Sequence, residues 1–115
     1  MHYEMTNQIL AADGTMAAQV RVPPGSAWFD GHFPGLPVLP GIAQLGMVVD
    51  LIRGMMGSPV RVAEVNRVRF KQMIRPDDRL SVVVEPKPSG KGGYGFRILK
   101  HDEVVCSGAI KVEEK

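Results

Sequence analysis

The run "IAQLGMVVDLIRGMM", residues 42–56, constrains this chain more than any other stretch. It contains no proline. At 100° per residue its apolar side chains cover nearly the whole circumference of a helix, interrupted only by Gln44, Asp50 and Arg53. A helix that is apolar all round has no face to give to water and must be enclosed by other elements. Gly57, Ser58 and Pro59 terminate it. The chain has 115 residues, which predicts one domain spanning 1–115, small enough that a partner chain would help to bury the helix.

The enclosing elements are readable on both sides. "NQILAADGTMAAQVRV" predicts two short strands joined by the turn "ADGT", since Asp-Gly between apolar runs is a hairpin signal. "WFDGHFPGLPVLPG" holds too much proline and glycine for a helix or an inner strand and reads as an ordered loop packed through its aromatic residues. After the helix, "VRVAEVNRVRF", "LSVVVEP", "YGFRILK" and "VVCSGAIKV" predict four more strands, separated by the turns "IRPDDR", "KPSGKGG" and "HDE". The order is two strands, a loop, the helix, then four strands. Neighbouring strands that pair in sequence predict an antiparallel sheet wrapped around one long helix, an α+β arrangement.

Composition excludes several classes. A single cysteine, Cys106, rules out an internal disulfide framework and a cysteine-based zinc site, and fits a reducing, cytoplasmic compartment. The N-terminal "MHYEMTNQIL" has neither the basic start nor the apolar stretch of a signal peptide. The helix run is short and carries Asp50 and Arg53, so no membrane insertion is expected. A net charge of +2 is too small to argue for nucleic acid.

"GHFPGLPVLPG" resembles the signature of the FabA/FabZ family, the 3-hydroxyacyl-acyl-carrier-protein dehydratases of fatty acid synthesis. The resemblance continues through "FKQMIRPDDRL" and reaches "VVCSGAI", covering most of the chain from Trp28 to Ile110. It implies the hotdog fold, a curved antiparallel sheet around one central helix. It implies His32 as the catalytic base, with one ring nitrogen tied to the carbonyl of Val38, and the Gly41 N–H as donor to the thioester carbonyl. The chemistry agrees with these residue types. Histidine titrates near neutrality and takes an α-proton without a large pKa shift. A helix N-terminus offers unsatisfied N–H groups and the positive end of the dipole. The family needs no metal or redox cofactor; its substrate rides on the phosphopantetheine of an acyl carrier protein or on coenzyme A. The family also completes its site across a dimer.

The sequence departs from the family at one position. The family carries Glu or Asp five residues after the Pro-Gly glycine, where this chain has Gly46. The nearest carboxylate is Asp50, four residues on and on the same face, about 5–6 Å further along the axis. Three readings stand: Asp50 has taken the acid role, the site works with His32 alone on another thioester reaction, or it binds without reacting. The rival functions are a hotdog thioesterase and a non-catalytic acyl-carrier or acyl-chain binding subunit.

Plainer roles compete for several residues. Asp50 and Arg53 are spaced for a simple salt bridge. Gly46 is suited to close packing, and Gln44 either lines the site or hydrogen-bonds backbone across an interface, the second being the plainer role. Cys106 reads as a buried inert thiol, and the methionines as core fillers first and as the wall of an acyl tunnel second. Arg67, Arg69 and Lys71, spaced by two, share one strand face. That is either a solvated face or a docking stripe for an acidic acyl carrier protein.

Overall fold

A computed structural model of the chain describes residues 3–29, 38–90 and 92–115. Six strands form one sheet in the order β1-β2-β4-β5-β6-β3. They are β1 (Glu4–Leu10), β2 (Met16–Arg21), β3 (Val60–Phe70), β4 (Arg79–Pro86), β5 (Gly93–Lys100) and β6 (Glu103–Glu114). Every pairing is antiparallel. The single α-helix among the described residues, α1 (Gly41–Met56), packs on the inner face, so the α+β architecture follows the expected order. A short 3₁₀ turn, Ala27–Phe29, precedes the helix and is the one addition to that order among the described residues.

Alternation makes the sheet one-sided. Ala18, Val82, Ile98 and Cys106 lie opposite one another across β2, β4, β5 and β6 and are all buried. In the neighbouring row Val84 faces Phe96, and Phe96 faces Gly108. A Cβ on Gly108 would sit 2.8 Å from the Phe96 ring, so the glycine gives the ring its space. Met47, Val48, Leu51 and Ile52 of α1 close the core from the other side, each fully buried. At the helix C-terminus Gly57 adopts φ 68, a left-handed conformation that suits glycine, and its N–H donates to Arg53 O at 3.1 Å.

The helix is not enclosed all round as its sequence predicts. Ile42 is 79% exposed and Leu45 and Gly46 are only half-buried, because the sheet of one chain covers only part of the circumference. β3 is an edge strand with two register shifts, and Val62 and Val65 on it are exposed. Among the described residues no helix is long and apolar enough to cross a membrane.

Candidate functional site

The entrance to α1 is held by a short extended segment. Val38 and Leu39 are buried, and Leu39 is fixed at both ends: its N–H donates to Ile74 O at 2.8 Å and its carbonyl accepts from Gln44 Nε2 at 3.3 Å. Pro40 caps the helix with φ −65 and ψ 152, and its carbonyl accepts from the N–H groups of Ala43 and Gln44. A proline cap has no side-chain acceptor, and the Gly41 N–H, the first of the helix, has no partner among the described residues. Gly41 does permit close approach, and the neighbour that uses it is Phe70: a Cβ at Gly41 would lie 2.7 Å from the tip of that ring. Around this point is a hollow of about 290 Å³, lined by Val38, Gly41, Gln44, Phe70, Lys71 and Met73 among others. His32, the expected base, lies outside the described residues, so its expected bond to the Val38 carbonyl does too.

The other side of the helix faces a second, more apolar groove of about 370 Å³ between α1 and β3. Ile42, Leu45, Gly46, Val49, Val62 and Val65 line it, with Asp50 at its polar end. Gly46 is not a packing glycine: a Cβ there would meet nothing within 4 Å. The open place left by the missing acid therefore lies in the same groove as Asp50. The expected salt bridge from Asp50 to Arg53 is not formed. Arg53 instead donates through Nε and Nη2 to Val60 O, at 3.1 and 3.0 Å, satisfying a backbone carbonyl next to the helix C-terminus. Asp50 Oδ2 accepts a short hydrogen bond from the Tyr3 hydroxyl. Tyr3 is buried and stacks on Trp28, with ring centroids 4.9 Å apart and planes inclined by 22°. Burial, then the bond to Asp50 and its charge, push the Tyr3 phenol well above its ordinary range. No sequence signal pointed to Tyr3, which stands 47 residues from its partner.

Arg67, Arg69 and Lys71 line one concavity of about 650 Å³ on the outer face of the sheet. A bulge between Asn66 and Arg69, with Arg67 at φ 56, breaks the strict alternation expected of them. Lys87 and Arg97 extend the basic rim, Arg97 being paired to Glu85 at 2.7 Å, and Gly95 and Ala109 leave the floor low. Lys71 lines both this concavity and the hollow at the helix entrance. Cys106 is fully buried, and burial pushes its thiol up to about 11, which leaves it inert as a nucleophile. No group of side chains among the described residues is arranged to hold a metal ion.

Residues 8–109 match the family model described as "ApeI-like: ApeI dehydratase". The 3-hydroxyacyl-[acyl-carrier-protein] dehydratase FabZ of Chloroflexus aggregans is 35% identical over 92 residues, which are 72% of this chain and 64% of that protein. FabZ of Caldicellulosiruptor saccharolyticus is 38% identical over 93 residues, covering 72% of this chain and 66% of that one. The chain thus spans somewhat less than two thirds of the length of these relatives. Among solved structures, the dehydratase heterocomplex ApeI:P from Xenorhabdus doucetiae aligns over 97% of this chain and 98% of its own, with TM-score 0.85 and 25% identity. A hypothetical thioesterase with coenzyme A from Streptococcus pneumoniae shares the fold alone, at TM-score 0.65 and 13% identity. These likenesses show the hotdog fold that the sequence implied.

Proposed function

Since the chain belongs to the ApeI-like dehydratase family, we propose that it dehydrates 3-hydroxyacyl thioesters carried on an acyl carrier protein, in fatty acid or related lipid or polyketide synthesis. The observation that carries this reading is the Gly41 N–H at the start of α1, which has no partner among the described residues and belongs to a residue lining the hollow at the helix entrance. His32 removes the proton from C2, and the electron pair moves onto the thioester oxygen. The Gly41 N–H and the helix dipole stabilise that oxygen. The pair then returns to form the C2–C3 double bond as the 3-hydroxyl leaves with a proton as water. With Gly46 empty, Asp50 is the carboxyl assigned to give that proton. Tyr3 holds its Oδ2 and leaves Oδ1 for the substrate.

Each site is completed by a second chain, the apolar groove of one copy meeting the histidine of the other. The second chain is another copy in the simplest assembly, a homodimer. The open Gly46 also suits a different hotdog chain that brings its own acid, since one relative is described as a heterocomplex. The acyl carrier protein, an acidic partner, docks on Arg67, Arg69 and Lys71 and feeds its arm past Lys71 toward the helix entrance. No metal or redox cofactor takes part in this reading, and the single buried thiol fits a cytoplasmic protein.

The test is incubation with 3-hydroxyacyl and 2-enoyl thioesters, with products read by mass. The expected result is interconversion of the two. His32→Ala should keep the fold and lose roughly 10²–10⁴-fold in rate. The wild-type rate should fall toward acid pH as the imidazole protonates. Release of free thiol with no enoyl product would replace this reading with a thioesterase, and binding without turnover would replace it with a binding subunit.

A further inference from the structure

Gln44 is 3% exposed, yet its Oε1 has no hydrogen-bond partner among the described residues. Buried carbonyl oxygens are ordinarily paired, so an orphan one calls for a reason. Its orientation is set: Nε2 is used on Leu39 O, which turns the amide so that the oxygen is left as the free group. Gln44 lines the same hollow as Gly41, whose N–H has no acceptor among the described residues. A donor and an acceptor, both without partners among the described residues, thus belong to two residues that line one hollow, the oxygen itself being closed off from solvent.

We infer that Gln44 Oε1 accepts a hydrogen bond from the amide N–H of the pantetheine-type thiol arm that carries the substrate. This rests on the thioester reading above. The choice of the arm over the acyl chain comes from the two faces of α1. The groove at Ile42, Leu45, Gly46 and Val49 is apolar and suits an alkyl chain. The hollow at Gln44 shares none of those residues. It shares Lys71 with the basic concavity, the side from which a phosphate-bearing arm would arrive. A thioester arm has the matching pattern, a carbonyl at the thioester to accept from Gly41 and an amide N–H two carbons beyond the sulfur to donate to Gln44. Gln44 is on this view a binding residue for the carrier arm, indifferent to the length of the acyl chain.

The probes are two non-reactive thioethers, S-octyl N-acetylcysteamine and its counterpart with an ester oxygen in place of the N–H, with affinities measured by calorimetry. Wild-type protein should bind the amide about tenfold more tightly than the ester, the size of one good hydrogen bond. Gln44→Met keeps the bulk of the side chain, and in it the ratio should fall to near one. A nuclear Overhauser contact between the Gln44 side-chain amide and the acetyl methyl of the bound probe is expected in wild type, whether or not the variant folds. Equal wild-type affinities, binding of neither probe, absence of that contact, or a preference that survives in Gln44→Met would each overturn the inference. So would a preference that follows a 3-hydroxyl on the octyl chain instead of the amide. If Gln44→Met weakens self-association without changing the ratio, the oxygen belongs to a subunit interface. Turnover without amide preference would remove this inference and leave the dehydratase reading standing; amide preference without turnover would do the reverse.

Discussion

At the scale of the residue, Asp50 and Gly46 carry the question of the acid. Tyr3 donates to Asp50 Oδ2, so the carboxylate is held even though the residue is exposed. If Asp50 supplies the proton, Asp50→Asn should abolish dehydration while costing only about 1 kcal/mol of stability, because an amide keeps the shape and can still accept from Tyr3, though without the charge, but has no carboxyl proton to give. An Asp50→Asn protein that turns over normally would assign the proton transfer to His32 alone. Gly46→Glu places a carboxyl in space where nothing lies within 4 Å. It should raise helix stability by up to about 1 kcal/mol, since a mid-helix glycine is replaced. It should also rescue the Asp50→Asn protein. Rates of the two single variants and the double variant, with melting curves for each, check both expectations. Cys106 gives an independent test of burial. With its thiol raised to about 11, the folded protein should resist iodoacetamide at pH 9, where an unfolded thiol near 8.5 is largely ionised. The sign for stability follows: any contribution from this group is intact below about pH 8.5 and is lost as the pH climbs toward the folded value.

At the scale of the element, the core of the sheet depends on rows of side chains from different strands. Phe96→Ala should cost about 3–5 kcal/mol, because the ring fills the place that Gly108 leaves open; chemical denaturation measures it. Most of this architecture is legible in the sequence. The period-two pattern of "LSVVVEP" and the unbroken apolar helix run specify inner faces directly, and Asp-Gly and His-Asp specify turns. What could not be read is what depends on distant partners. The Arg53 guanidinium prefers the Val60 carbonyl to the acid one turn away, a choice made by the chain's return at β3. Tyr3 reaches Asp50 only because β1 crosses beside the helix, and local pattern holds no trace of that pairing. The Phe70 ring over Gly41 depends likewise on where β3 ends. The bulge at Arg67 sets the basic side chains around a concavity where simple alternation gave only a stripe.

At the scale of the whole molecule, the proposed function assigns partners to two surfaces. On the outer face, replacing Arg67, Arg69 and Lys71 with Ala should weaken carrier-protein substrates and leave small thioester mimics nearly unchanged. The difference should shrink at high salt, where charge attraction beyond about 10 Å is screened; kcat/KM for the two substrate types across a salt series decides it. On the opposite side, the apolar groove and the β3 edge lie next to each other, with Ile42 79% and Val62 41% exposed. An 11-residue edge strand leaves unpaired N–H and C=O groups along its free side. An apolar helix face beside such an edge is unfavourable in water but stable when a second chain continues the sheet and covers the helix. Light scattering at micromolar concentration should therefore find a dimer or larger. Val62→Lys puts a charge into the covered groove, where burying it unpaired costs several kcal/mol. It should shift the protein to monomer and remove dehydratase activity with it, because the histidine and the acid then no longer meet. In an isolated chain the same substitution touches only an exposed side chain and should change stability by no more than about 0.5 kcal/mol. A stable wild-type monomer, unaffected by Val62→Lys and fully active, would mean that one chain holds the whole site. A wild-type monomer that is silent alone and becomes active on mixing with a second hotdog chain would assign the missing carboxyl at Gly46 to that partner.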